Sequence, residues 1–102
     1  MQIDDLIDLR TGETVAWKHK EGEVTVICFW NTVFPQCQGP MAKCHELITS
    51  HYDWNGKVHF VAISADDNRD DVVKYVHSRG WAHEHYWQDR EKPNAEIGRA
   101  HV

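Results

Sequence analysis

Three thiols and a short imidazole pair are the groups in this chain that could carry chemistry. Cys28 lies in an apolar run, Cys37 follows a proline-containing loop, and Cys44 comes seven residues after Cys37. Seven residues of regular helix make about two turns, so Cys37 and Cys44 would share a face at roughly 10 Å. A disulfide needs closer Cα atoms than that, and this pair is not expected to close. His83-Glu84-His85, if extended, turns two imidazoles to one side, a spacing compatible with zinc or copper. Two ligands do not make a site, and Cys37 or His45 would have to be recruited by the fold. Met41-Ala42-Lys43-Cys44-His45 matches a haem-attachment C-x-x-C-H without its first cysteine, and no other part of a cytochrome pattern accompanies it. Asp66, Asp67, Asp70 and Asp71 read as helix capping and a solvated acidic face. The expectation is a chain with no metal and no cofactor, in which Cys28 and Cys44 are small core residues.

The elements that would position these groups follow from periodicity. Ile3, Leu6, Ile7 and Leu9 precede Thr11-Gly12, and Val15, Ala16 and Trp17 follow, which predicts a hairpin. Val24 to Trp30 is β-branched and aromatic with no polar face, as expected of a strand covered on both sides in a parallel sheet. A loop with Pro35 leads to Met41, Cys44, Leu47, Ile48 and Tyr52, whose three- and four-residue steps predict an amphipathic helix. Pro40 must then sit in its first turn or kink it. After Asn55-Gly56, Val58 to Ser64 reads as a second buried strand.

A second helix is expected from about Arg69, capped by Asp66, Asp67 or Asn68 and closed by Gly80, with Val72, Val73, Tyr75 and Val76 on its buried face. Trp81 to Gln88 suggests a third strand, and Asn94 to His101 one or two further helical turns. Alternating strands and helices with apolar strands predict a single α/β domain around a mostly parallel sheet with right-handed crossovers.

Composition narrows the function. The chain has 102 residues, 41% of them hydrophobic and 26% charged, enough for one core. Its formal net charge is −5 and its basic residues are scattered, so it offers no stripe to neutralise phosphates and no nucleic-acid partner is expected. No apolar run approaches the roughly 20 residues of a bilayer span, and the acidic start does not resemble a signal peptide, so no membrane partner is expected either. Three unevenly spaced cysteines do not form a disulfide scaffold. A reducing, cytoplasmic setting is the expectation.

Phe29-Trp30-Asn31-Thr32-Val33-Phe34-Pro35-Gln36-Cys37 resembles the F-W-A-x-W-C-x-x-C segment of the thioredoxin superfamily, especially TlpA-like, tryparedoxin-like and nucleoredoxin-like thiol–disulfide oxidoreductases. Leu9 to Trp17 is similar to that family's L-x-G-x-x-V hairpin, and Gly56-Lys57-Val58 to Ser64 to its G-K-V-x-F-V-x-I-S strand. Together the matching stretches span roughly residues 3 to 81. The resemblance implies a thioredoxin-like fold, with Cys37 at the resolving position and Phe34 where the attacking cysteine belongs. It also implies that the C-terminal part, with its cis-proline segment, is missing after Val102, leaving a sheet edge open.

Thiol exchange needs an exposed thiolate at a helix N-terminus and a second thiol to resolve the mixed disulfide. Phe34 supplies neither. The resemblance therefore implies a redox-degenerate module that binds a protein or peptide through Trp30, Val33, Phe34, Pro35 and Gln36. The alternative it leaves is a monothiol oxidoreductase or thiol peroxidase acting through Cys37 with an external thiol. An uncovered sheet edge would also permit a homodimer.

Overall fold

The structure, a computed structural model, describes residues 1–50 and 56–89. Its elements are β1 (Gln2–Asp8), β2 (Thr14–Lys18), β3 (Val24–Trp30), a 3-10 turn (Pro35–Cys37), α1 (Gln38–Thr49), β4 (Val58–Ser64), α2 (Arg69–Arg79) and β5 (Glu84–Gln88). The strands form one sheet in the order β2-β1-β5-β4-β3. Residues Tyr52 and Asn94 to His101, on which further helix was expected, lie outside the described residues.

The domain is α/β, but its sheet is mixed rather than mostly parallel. β3 pairs with β4 and β4 with β5 in parallel, whereas β1 runs antiparallel to both β5 and β2. The N-terminal hairpin accounts for the difference: a tight turn can only produce antiparallel neighbours, and the sheet accepts the hairpin edge-on against β5. No helix among the described residues is long and apolar enough to cross a membrane.

β4 shows why its sequence is apolar almost throughout. It lies between β3 and β5, in unbroken register with β3 from Val24↔Val58 to Trp30↔Ser64, and its last five residues are buried. Val61 and Ile63 face one way, into a cluster with Ile3, Leu6, Trp17 and Tyr86. Ala62 faces the other way, against Trp30, Met41, Val72 and Trp81. Both helices supply the second cluster and only strands supply the first, as two right-handed crossovers stepping in one direction across a sheet require.

β3 departs from the expectation that it is covered on both sides. It is the outermost strand of the described sheet, and Val24 and Phe29 remain 56% and 41% exposed. The apolar run was read correctly as a strand, but composition cannot tell a central strand from an outer one.

The helices start and stop as their sequences dictate. The Asn68 side chain accepts a hydrogen bond from the Asp70 amide at 2.9 Å, and Asp70 and Asp71 occupy the first turn, near the positive end of the dipole. Gly80 takes the left-handed conformation at φ 65°, and its amide returns to the Val76 carbonyl at 2.9 Å. Val72 is fully buried, whereas Val73, expected beside it, is 40% exposed because it lies off the narrow stripe that meets the sheet. α1 begins at Gln38, so Pro40 falls in the first turn, where its missing amide proton costs no hydrogen bond.

Across the sheet surface, His59 on β4 bridges two carboxylates: Nε2 meets Glu23 before β3, and Nδ1 meets Glu84 on β5 at 3.1 Å. The other oxygen of Glu84 accepts from the Trp17 indole at 3.4 Å. The hydrogen bond to Glu23 raises the His59 pKa above its usual 6.5, and the same bond lowers that of Glu23 below 4.5. The imidazolium contribution is therefore complete below about pH 6.5 and fades as pH rises through the raised value; the Glu23 contribution fades as pH falls below the usual carboxylate range. Melting temperatures should show wild type above His59→Gln by a few degrees near pH 5.5, with the margin shrinking near pH 8. An equal margin at both pH values would show that the bridge does not act through its charge.

Candidate functional site

The loop between β3 and α1 is held from beneath by one buried carboxylate. Asp66, 5% exposed, accepts the Thr32 amide at 3.0 Å and the Thr32 hydroxyl at 2.6 Å, and its other oxygen takes the Ser64 hydroxyl. The Asp66 carbonyl accepts the Trp87 indole N–H at 2.7 Å. Above this anchor the backbone turns tightly. The Asn31 side chain accepts from the Val33 amide at 2.9 Å, the Asn31 carbonyl from Phe34, and the Phe34 carbonyl from Cys37. Pro35 opens the 3-10 turn, a position where its ring fits and no amide is needed.

The result presents apolar side chains to solvent. Val33 is 71% and Phe34 50% exposed, and Pro35 and Gln36 are exposed beside them. A shallow groove of about 450 Å³, lined by Thr32, Asp71, Lys74, Tyr75 and Ser78, runs alongside. Trp30 does not belong to this surface. It is 5% exposed, and its ring packs 5.6 Å from both Tyr75 and Trp81, so the expectation that it faces a partner is corrected. In the β3 alternation it shares the helix-covered side with Cys28.

Cys37 is half-buried at the start of α1 and packs against the Trp30–Met41 cluster. Its side chain has no hydrogen-bond or charged partner among the described residues, and the first turn of α1 contains no acidic residue. The thiol is thus turned toward the helix-covered core. No second thiol stands within its reach, because Cys44 is directed elsewhere.

Cys44 reaches back to β3. Its sulfur lies 3.6 Å from that of Cys28, and a nitrogen of His83, just before β5, completes a trio whose donor atoms all fall within 4.8 Å of one another. These are the described residues that could hold a metal, and they differ from the set the spacing suggested: Cys28 and Cys44 stand with His83, in place of His85 with Cys37 or His45. His83 is 6% exposed, and neither ring nitrogen has a hydrogen-bond partner among the described residues. Burial pushes its pKa down to about 4, helped by His85 and His45 nearby. Burial likewise pushes the Cys28 thiol up to about 12, with the contact to Cys44 adding to it.

The neighbouring imidazoles are tethered differently. His85, its ring 5.2 Å from that of His83, donates Nε2–H to the Trp81 carbonyl at 3.0 Å, and His45 accepts the Ala82 amide on Nδ1 at 3.0 Å. His83 and His85 do face one side, as their spacing predicted. The partners of His83 were missed because they come from two other elements. Two signals in the sequence pointed to them: strand alternation sets Cys28 with Trp30, and helical spacing sets Cys44 with Met41.

Replacing Asp66 tests the anchor of the loop. Asp66→Ala strands the Thr32 amide and the Ser64 hydroxyl, and a loss of about 2–4 kcal/mol in urea denaturation is expected, against a smaller loss for Asp66→Asn, which keeps one acceptor. Equal stability of Asp66→Ala and wild type would show that the loop is held by other contacts.

No family model, curated protein or solved structure matches this chain, and its function has to be argued from its own side chains.

Proposed function

We propose that this domain is a redox-degenerate module of thioredoxin-like type that binds a protein segment through the loop carrying Val33 and Phe34. The observation that carries this reading is the pair of neighbouring large apolar side chains held outward, 71% and 50% exposed, on a backbone fixed by the Asp66 anchor. An ordered apolar anchor loses little conformational freedom when a partner covers it, which is what makes such side chains dominate binding energy. The groove beside Thr32 supplies length, and its wall carries both Asp71 and Lys74, so the apolar anchor rather than groove charge selects the partner segment.

The thioredoxin-like part of this reading rests on the segment from Phe29 to Cys37 and on the parallel β3-α1-β4 unit that carries it. The fold's usual chemistry is not proposed, because Phe34 has no nucleophile and Cys37 is packed against the core cluster of Trp30 and Met41. Homodimer formation along the outer edge of β3 is a further way in which such a domain could associate.

Two measurements test the reading. A photo-crosslinking phenylalanine analogue at position 34 identifies the partner; with that partner purified, Phe34→Asp combined with Val33→Ser should weaken binding by about tenfold or more. Val73→Ser, which removes an exposed valine on α2, should leave binding unchanged. Affinity unaffected by the loop variant would overturn the proposal. In an insulin-reduction assay wild type should stay at background, whereas Phe34→Cys should create a C-P-Q-C motif and raise the rate. Reduction by wild type that is abolished in Cys37→Ser would instead establish the monothiol enzyme.

A further inference from the structure

We propose that Cys28, Cys44 and His83 bind a zinc ion through two thiolates and one imidazole, in a site separate from the loop that carries Phe34. Three elements that are remote in sequence deliver the donors: β3 gives Cys28, α1 gives Cys44, and the segment entering β5 gives His83. Their donor atoms lie within 4.8 Å of one another before any metal draws them together. Two zinc–sulfur bonds of about 2.3 Å at a tetrahedral angle set the sulfurs roughly 3.8 Å apart. The observed separation is 3.6 Å, so the thiols need hardly move. His83 has the larger adjustment to make, a reorientation of its ring.

Sulfur contact alone would be ordinary packing of two small side chains. His83 is what points to a ligand. Its imidazole is 94% buried by its 6% exposure, and neither nitrogen has a partner among the described residues, an arrangement that buried polar groups avoid unless something satisfies them. Of the imidazoles around it, His85 is held through Nε2 on the Trp81 carbonyl, with its Nδ1 likewise unpartnered among the described residues, and His45 accepts the Ala82 amide; neither is hydrogen-bonded to His83. A metal would take the neutral imidazole through one ring nitrogen.

Two thiolates and an imidazole are a donor set suited to zinc, and a tetrahedral ion would have its fourth position open to solvent, since both cysteines are only half-buried. Binding displaces one proton from each thiol to solvent, so the two thiolate charges balance the dication. Because binding releases these protons, affinity should climb with pH. The ion would tie β3, α1 and β5 together across the helix-covered face of the sheet.

The full chain, prepared reduced and metal-free, should take up one zinc ion in competition with a chromophoric chelator. Cobalt(II) as a probe should give intense visible bands of a tetrahedral site together with thiolate charge-transfer absorption. His83→Gln should weaken zinc by more than about tenfold, and the combined Cys28→Ser and Cys44→Ser variant should abolish the thiolate bands, while Cys37→Ser changes neither. To keep the test independent of variant folding, wild type is alkylated with and without zinc: Cys28 and Cys44 should be protected and Cys37 labelled in both. Zinc affinity unchanged in the cysteine variant, protection that falls on Cys37, an octahedral cobalt spectrum, or no zinc uptake by the fully reduced protein would each overturn the assignment.

Discussion

The buried carboxylate of Asp66 is the constraint on which the arrangement of this domain rests. It sits just past the end of β4, and its own oxygens hold the loop that leaves β3 while its main-chain carbonyl holds the indole of Trp87 on β5. Three adjacent parallel strands are thereby fastened at their C-terminal ends by one residue. A buried carboxylate is costly unless it is hydrogen-bonded, so the chain can bury Asp66 only if Thr32 and Ser64 arrive together, while Trp87 engages its main-chain carbonyl. That demand fixes where the turn into α1 begins. It is also the reason apolar side chains at Val33 and Phe34 can stand in solvent without the loop collapsing over them.

The same economy of partners separates the two thiol environments. Cys28 and Cys44 share one contact beneath α1, and Cys37 packs against a different part of the helix-covered cluster. Three aromatic rings, Trp30, Tyr75 and Trp81, fill the space on that face, with the Arg79 guanidinium 5.0 Å from the Tyr75 ring. Their bulk locks α2 against β3 and brings the Ala82–His83 segment back over α1. The placement of His83 is thus a product of aromatic packing as much as of strand geometry.

What could be read in the sequence follows how local the signal is. Asn68 and Gly80 delimit α2 because each acts on its own backbone or its immediate neighbours, and the sequence alone locates both ends. The apolar runs of β3 and β4 are equally legible as strands. Their places in the sheet are not, since Val24 and Phe29 are chemically the same whether or not a strand lies outside them. Mixed pairing escaped for a related reason: hairpin residues specify their own turn, and nothing in Ile3 to Trp17 says which strand they will meet. The motif singled out Val33 to Gln36, which the structure leaves exposed, whereas Trp30 is buried: an aromatic beside an exposed loop carries no mark of which side it turns to. The Cys28–Cys44–His83 grouping was the least legible, as it depends on three registers at once.

β1 contains one extra residue opposite β2: its pairing runs from Ile3↔Trp17 to Leu6↔Val15, and Asp5 takes φ 57° to absorb the surplus. Ile3 and Leu6, three positions apart, both point inward for that reason. Simple alternation would have sent them to opposite faces. A hairpin built this way cannot slide along its partner by a residue and find a second comfortable pairing, because any shift that buries one of the two leaves the other in water. The irregularity acts as a keyed joint, and it protects the outer strand from the mismatched pairings by which uniform edges recruit copies of themselves.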